Sequence, residues 1–421
     1  MKIAILGAGI SGLSLAYFLR QQNPELDVTV FEKSARVGGV MNSTVQDGFF
    51  FEQGPRTFST KKAPHLLQLI KEVGLTDALL FSSAQTRYLY FEGALRQVPT
   101  SLPKLLLSPL VKGVVQGILK DLRHPKGIKE DESIYSFVKR HAGELVAKRL
   151  VEPLVLGVHA GDYTQLSVSA CFPEWKEYEY KYGSLLKGMY KEYQASSHPP
   201  LFTLDGGIKK LPEKLAELSS AKILLNKEVL SLEETEVGAY VNGSFFDHVV
   251  CALPAGVMEH LVPAKYLPFF SSFKSLTLSC VNVAFSSALV PKDGFGYLVP
   301  STEKDTILGV IFDSSVFPQE TKENMSRVTV MMRGEKNAEE RALSALKRHL
   351  GISEKPLFIK AHTYKNYLPQ LPVGHLRNVD RLQSDSISFI GNYIHGASVN
   401  RCINEAKQVA RRLTTKELIL R

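Results

Sequence analysis

The chain is expected to fold as an α/β protein with a Rossmann-like domain, a mixed-sheet domain and a helical insertion. Three observations lead there. An apolar run, Lys2–Leu6, is followed at once by Gly7-Ala8-Gly9-Ile10-Ser11-Gly12, by helical spacing over Ser11–Arg20, and by a second apolar run, Val28–Phe31, ending on Glu32. After Glu92-Gly93 the pattern turns helical and stays so to Gln194. From Leu276 a series of strand-like runs follows, before a last buried strand, Ile387–Ile390, and a closing helix, Ser398–Leu413.

The first stretch is a G-x-G-x-x-G fingerprint in its required setting: strand, glycine turn, helix, second strand and an acidic residue about 20 positions on. Gly7 permits the tight turn. Gly9 lets backbone approach a pyrophosphate, and Gly12 lets the helix pack against the strand. The helix N-terminus offers free N–H groups to phosphate. Glu32 is placed to accept from a ribose hydroxyl, which argues against a 2′-phosphate and so against NADP.

The remaining elements follow in order. Ser34–Gly39 carries a second glycine pair, Gly38-Gly39, suited to the same dinucleotide from its other side. Asp47-Gly48 separates expected strands Met41–Val45 and Phe49–Glu52, and Gly54-Pro55 stiffens the loop before Arg56. Pro64–Val73 predicts a helix and Arg87–Phe91 a strand. On a wheel of about 100° per residue, Pro103–Arg123 shows a wide Leu/Val face with Lys112, Lys120 and Arg123 opposite. That composition suits an interfacial helix and equally a core-facing helix of a helical subdomain. Ser133–Arg140, Glu144–Glu152 and Lys181–Gln194 also read as helices. Glu152–Asp162 reads as a glycine-containing loop that something approaches closely, and Ser196–Pro200 as a linker. Sheet character returns at Phe202–Gly207. Ile223–Leu225 and Glu228–Glu233 are expected strands around Val229, with a helix, Leu211–Leu218, before them. Ala239–Val241 and Ser244–Phe246 flank Asn242-Gly243, a type I′ hairpin signal. Val249–Leu253 is a further buried strand. The second domain then holds strands Leu276–Phe285, Phe295–Val299, Thr306–Phe312, Arg327–Met332 and Pro356–Tyr364, with a helix, Ala338–His349. The division this implies is 1–95, 200–257 and 380–421 for the dinucleotide domain, 96–199 for the insertion, and 258–379 for the second sheet domain.

Bulk properties bound the function. At 421 residues with 44% hydrophobic and 22% charged content, two or three globular units are affordable. There is no run of 18 apolar residues, and the start runs straight into a strand, so no membrane span and no leader are expected. The four cysteines are scattered, which fits a reducing compartment and gives no metal signal. The formal net charge of +9 suggests an anionic partner, or surface lysine kept for solubility. No basic block supports nucleic acid. No G-x-S-x-G and no H-E-x-x-H is present.

The late Gly391-Asn392 turn and closing helix narrow the cofactor. A nicotinamide domain does not need the last strand and helix of its chain, whereas a flavin dinucleotide reaches farther. The start of the closing helix, around Val399, would stabilise negative charge on a reduced flavin ring. Flavin chemistry needs few side chains. His159 and His395 are candidate proton relays or structural histidines, and Arg56 and Arg87 are candidate carboxylate clamps.

These residues resemble the protoporphyrinogen oxidase family, within the amine-oxidase-like flavoproteins, over most of the chain. The resemblance rests on Gly7–Leu13, Arg36–Gly39, Asp47-Gly48, Phe51–Arg56, Gly157-Val158-His159-Ala160-Gly161-Asp162, Asp205–Gly207 with Leu211-Pro212, and Gly391-Asn392 through Gly396–Asn400. It implies FAD and a helical insertion that meets the membrane. It implies a six-electron oxidation of protoporphyrinogen IX in three steps, with O2 as acceptor and H2O2 as product. Arg87 looks like the family's propionate-binding arginine, with Gly157 and His159 near the substrate. Arg56 is the candidate catalytic residue, in orientation or carboxylate binding, since a guanidinium is a poor base. The candidate FAD contacts are Gly7, Gly9, Ile10, Ser11, Gly12, Glu32, Lys33, Gly38, Gly39, Gly54, Pro55, Val229, Gly391, Asn392, Ser398 and Val399; no metal is implied. Asn392 departs from the aspartate of many flavoproteins and adds no charge. Coproporphyrinogen III as substrate is the near alternative. An amine oxidase or carotenoid desaturase, and a cofactor-free prenyl-protein carrier on the same fold, are the distant ones. The expected location is cytoplasmic, with peripheral attachment to an anionic membrane face; a homodimer is left open.

Overall fold

The computed structural model describes residues 1–46, 48–82, 84, 86–99, 115–122, 130–194, 201–321, 324–382 and 384–420. Its first sheet has five parallel strands in the order Lys222–Leu224, Asp27–Phe31, Lys2–Leu6, His248–Cys251 and Ile387–Phe389. Strands from three distant parts of the chain thus share one sheet, as a doubly wound fold requires. Near-continuous apolar runs suit strands covered on both faces: Ile3, Ala4, Ile5 and Leu6 are fully buried. Helix Ile10–Gln22 links the first two strands. Helix Val399–Leu420 packs against it, with Leu13, Leu66, Leu211, Ile403, Ala406 and Val409 in one core. The α/β expectation holds.

The second sheet has seven strands and is mixed. Its order is Phe358–Pro369, Ser275–Phe285, Ser326–Arg333, Gly309–Ile311, Gly294–Leu298, Thr86–Phe91 and Ala94–Gln97. All neighbours are antiparallel except Gly294–Leu298 with Thr86–Phe91. Residues 86–97 therefore join the second sheet, not the dinucleotide unit to which local sequence had given 86–95. Their parallel partner comes some 200 residues later, so no nearby pattern announces it.

Other expectations shift locally. Glu152–His159 is helical, not a loop. Pro153 sits in its first turn, where its missing N–H does no harm, and Ala160 ends it in the left-handed region. Lys181–Gln194 is broken at Gly183 into helices Pro173–Tyr182 and Leu185–Gln194. Asp121 caps the second, accepting from Leu185 N at 3.1 Å and Leu186 N at 2.8 Å. The strand expected over Glu228–Glu233 is Leu232–Glu234, so Val229 lies before it. Asn242 and Gly243 both have positive φ, as the type I′ reading requires. Of the amphipathic segment Pro103–Arg123, Val115–Leu122 is helical; 103–114 and 123 lie outside the described residues, as do the linker residues 196–200.

Candidate active site

Ligands of open α/β sheets bind beyond the carboxyl ends of the strands. Here three connections meet at that edge. Gly7 N donates to Phe31 O at 2.8 Å, Ala252 N to Leu6 O at 2.9 Å, and Ile390 N to Cys251 O at 3.0 Å. Gly7 has φ +104°, a conformation that favours glycine. A Cβ on Gly12 would lie 2.1 Å from Gly7 O, so helix and turn are in backbone contact. A Cβ on Gly9 would meet nothing within 4 Å. The cradle is closed at Gly12 and open at Gly9, the shape a pyrophosphate needs. Helix Ile10–Gln22 has no side-chain cap and no acid in its first turn, so its N–H groups stay available. Ser11 in that turn is buried.

The second glycine pair closes on the first. Gly38 N donates to Ala8 O at 2.8 Å, and a Cβ on Gly39 would sit 3.4 Å from Gly9 Cα. Glu32 binds this frame: Oε2 accepts from Ala8 N at 3.0 Å and Oε1 from Ser34 N at 2.9 Å. Lys33 beside it is exposed. Lys227 N donates to Glu32 O at 2.8 Å, which brings the segment leading to Val229 next to Glu32. Gly54 is held by close approach, since its Cβ would lie 2.1 Å from Val40 O; Pro55 follows it, half-buried.

At the far end of the chain Gly391 has φ +134°. Its N–H donates to Glu405 Oε2 at 2.9 Å, and Asn392 Nδ2 donates to Tyr367 O at 3.1 Å, in a strand of the second sheet. Ser398 O accepts from Cys402 N at 3.0 Å, and Val399, 8% exposed, opens the closing helix. The residues present therefore fit a dinucleotide from both ends.

Arg56 is 6% exposed and sits in a polar cluster between the seven-stranded sheet and the end of strand Phe49–Glu52. Nη1 donates to Asp313 Oδ1 at 3.0 Å and to Thr329 Oγ1, and Nη2 to Glu52 O at 3.1 Å. Thr329 Oγ1 is 2.7 Å from Asp313 Oδ2 and 2.8 Å from Asn282 Oδ1. Burial works against the Arg56 charge, but Asp313, with Cys280 and Glu52 adding to it, holds the pKa above its ordinary value. Glu52 accepts from Ile208 N and Ser43 Oγ, while burial raises its carboxyl to about 7.

Arg87 lies on Thr86–Phe91, opposite Gly296, with its guanidinium 5.4 Å from the Phe295 ring centroid. Its side chain is exposed and no carboxylate pairs with it among the described residues; the protein around its base desolvates it enough to pull its pKa below the usual value. Gly157 meets the same part of the sheet: its Cβ would lie 2.5 Å from Leu298 Cδ2, and Leu298 pairs with Leu89. The structure thus brings Gly157 and Arg87 to adjoining strands. His159 points elsewhere. It is buried, edge-on to Phe172 at 5.2 Å, with Nε2 unpartnered and its pKa pushed down to about 4 by burial and Arg401. A neutral imidazole can donate one hydrogen bond to a carboxylate but forms no ion pair with it. An apolar wall of Leu156, Ala160, Leu308 and Leu368, packed with Leu278 and Ala397, joins insertion, sheet and closing turn.

Sequence reasoning missed Asp313, Thr329, Asn400 and Glu405. Asn400 Oδ1 caps helix Pro64–Glu72, accepting from His65 N at 2.8 Å and Leu66 N at 3.1 Å. Glu405 had a signal, a carboxylate on the buried face of the last helix next to the Gly391 turn.

Comparison with known proteins then places this arrangement. The family described as flavin containing amine oxidoreductase matches residues 10–414. Protoporphyrinogen oxidase of Bos taurus is 30% identical, with 99% of this chain and 98% of the relative covered. Coproporphyrinogen III oxidase of Staphylococcus aureus is 26% identical, with 97% and 98% covered. A crystal structure from Exiguobacterium sp. 255-15 superposes with a TM-score of 0.87 over 99% of each chain at 21% identity.

Proposed function

This chain belongs to the protoporphyrinogen oxidase family of flavin-containing amine oxidoreductases, and from that premise we propose that it oxidises protoporphyrinogen IX to protoporphyrin IX. It is an FAD-dependent oxidoreductase. What carries the substrate reading is that the likeness to the bovine enzyme covers 99% of the chain, through the insertion and both sheets. FAD, when bound, takes the electron pair of each step and passes it to O2, so that three O2 become three H2O2 as six electrons and six hydrogens leave the substrate.

In this proposal the Gly7–Gly12 turn and Gly38-Gly39 hold the pyrophosphate, Glu32 the ribose, and the start of the closing helix the flavin ring. Arg87 pairs with a propionate. Arg56, with its donors directed to Asp313, Thr329 and Glu52, orients the Gly54–Thr57 loop and does not itself bind a substrate carboxylate. Replacing Arg87 by Ala is expected to lower kcat/KM about 10- to 100-fold, the loss of one charge-assisted pair of about 1.5–3 kcal/mol. The loss should fall mainly on KM, with the flavin spectrum intact. An unchanged kcat/KM would remove Arg87 from the site.

The choice of substrate is tested by kcat/KM for protoporphyrinogen IX and coproporphyrinogen III on the same preparation. Preference for the first supports the proposal. A strong preference for the second makes the enzyme the counterpart of the Staphylococcus aureus relative.

We also infer peripheral contact with an anionic membrane. No helix among the described residues is long and apolar enough to cross one. The described insertion nevertheless exposes Leu119, Leu122, Leu145, Leu154, Val158 and Met189, with Lys120 on the helix of Leu119 and Leu122 and Lys187 on the helix of Met189. Flotation with phosphatidylserine vesicles should capture the protein at low salt and release part of it at high salt. Indifference to vesicles at every salt concentration would end this reading.

A further inference from the structure

We propose that Glu405 is a positioning residue for the Gly391 turn, and that its charge state sets how tightly the turn accepts the cofactor's diphosphate. The proposal rests on the FAD reading above and goes beyond it, because Glu405 lies on the closing helix behind the turn.

The turn brings no charge of its own. Asn392 is neutral, and its amide is bound to Tyr367 O. The nearest acid is Glu405, whose Oε2 accepts the Gly391 N–H at 2.9 Å. That bond fixes a residue whose φ of +134° leaves little tolerance for a side chain. Through it, the orientation of the turn depends on the closing helix.

The other oxygen looks the opposite way. Oε1 lies 3.9 Å from His395 Nε2, at one wall of a solvent-open cavity of about 320 Å³. His395, Arg401, Asn404 and Gln408 also line it, so protons have a route to a carboxyl that is only 8% exposed.

Several groups face Glu405. Its own helix contributes Arg401, Cys402 and Arg412, and the turn contributes Tyr393 and His395. From the insertion come Ser169 and Pro173 at the cavity, with Glu174 3.6 Å from Arg401. Arg401 is turned from Glu405 toward the carbonyls of Ala170 and His395, both at 2.8 Å. Burial dominates, raising the carboxyl to about 8, with the Gly391 N–H and Arg412 pulling down. Glu405 is thus a neutral acid at pH 7 that still accepts the N–H through its carbonyl oxygen.

A dinucleotide in this crevice brings two negative phosphates to the sheet edge that carries Gly7–Gly12 and, beyond the intervening strand His248–Cys251, the Gly391 turn. Neutral Glu405 admits them. Ionised Glu405 places a third negative charge behind the turn, in surroundings that screen it poorly. Binding above pH 8 therefore takes up a proton, and affinity falls by up to about tenfold per pH unit.

The test is FAD titration of the apoprotein from pH 6.5 to 9, read by quenching of flavin fluorescence, for the wild type, Glu405→Gln and Glu405→Leu. Between pH 8 and 9 the wild-type Kd should rise about fivefold more than that of Glu405→Gln, as a group titrating at about 8 requires. At pH 7 those two should agree within about threefold, since glutamine keeps the acceptor. Glu405→Leu, with no acceptor for Gly391, should bind more weakly at every pH. Thermal melts of the apoprotein give a second reading. A folded-state pKa raised by burial contributes stability below the unfolded value, and loses it as pH rises through the folded one. Glu405→Gln should therefore gain on the wild type as pH rises to about 8 and hold that gain, without adding to it, toward 9. Parallel Kd curves for wild type and Glu405→Gln overturn the proposal. No quenching by any protein at any pH overturns the FAD reading instead.

Discussion

Replacing Arg56 by Ala is expected to destabilise the protein by about 3–5 kcal/mol, the cost of leaving one member of a buried ion pair without its partner. The partner is Asp313, 257 positions away and 12% exposed at its side chain. Without the guanidinium, Asp313 keeps the Thr329 hydroxyl, which is shared with Asn282, and the charge of Arg327, which does not hydrogen-bond to it. Glu52 O loses one of its two side-chain donors, the other being Asn282 Nδ2 at 3.3 Å. Asp313→Ala should cost a similar amount by stranding Arg56. Arg56→Met with Asp313→Leu should cost less than the sum of the two single changes, because no uncompensated charge is left. Denaturant melts of the four proteins measure the coupling. The same series separates orientation from catalysis. Arg56→Lys keeps a charge for Asp313 but loses the fork that also reaches Glu52 O. If Arg56 only orients the loop, the activity lost in Arg56→Lys follows the flavin lost. If Arg56 touches substrate, KM rises in molecules that still carry flavin, and the assignment to orientation fails.

That cluster marks where the sequence stopped being readable. The parallel strands were legible because burial on both faces leaves unbroken apolar runs, as in Ile3–Leu6. The cradle was legible because tight turns and backbone contacts admit glycine and little else. Both signals are local. Arg56 shows no local sign of Asp313 or Thr329, since a guanidinium in a loop looks the same whether it meets solvent or an aspartate 257 positions later. Thr86–Phe91 is a strand by its own pattern, but its parallel neighbour belongs to another part of the chain. The helix Glu152–His159 was misread because Gly157 disfavours helix in isolation. In the fold Leu298 occupies the space a side chain would need, so glycine is there for packing. Tertiary contact overrides propensity in that case, and no single-sequence argument reaches it.

The two central glycines of the cradle should fail in different ways, and that difference tests the cradle more sharply than loss of activity does. Gly12→Ala puts a methyl 2.1 Å from Gly7 O and 3.1 Å from Ile5 Cγ2. The first neighbour is backbone and cannot rotate away, so helix Ile10–Gln22 must lift from the first strand. Overpacking of this kind costs about 1–3 kcal/mol, and the shifted turn no longer presents its N–H groups to phosphate. Apoprotein stability and FAD affinity should fall together. Gly9→Ala differs, because its methyl would meet no protein atom within 4 Å. It enters the space assigned to the pyrophosphate, and φ −78° at Gly9 is a value alanine adopts freely. The apoprotein should therefore melt within about 1 °C of the wild type, a change below about 1 kcal/mol for a chain of this length. Its FAD affinity should drop about 100-fold or more, equivalent to about 2.7 kcal/mol. Paired melts and FAD titrations decide it. A Gly9→Ala protein that binds FAD as the wild type does would mean that the open face of the cradle is not where the phosphates lie.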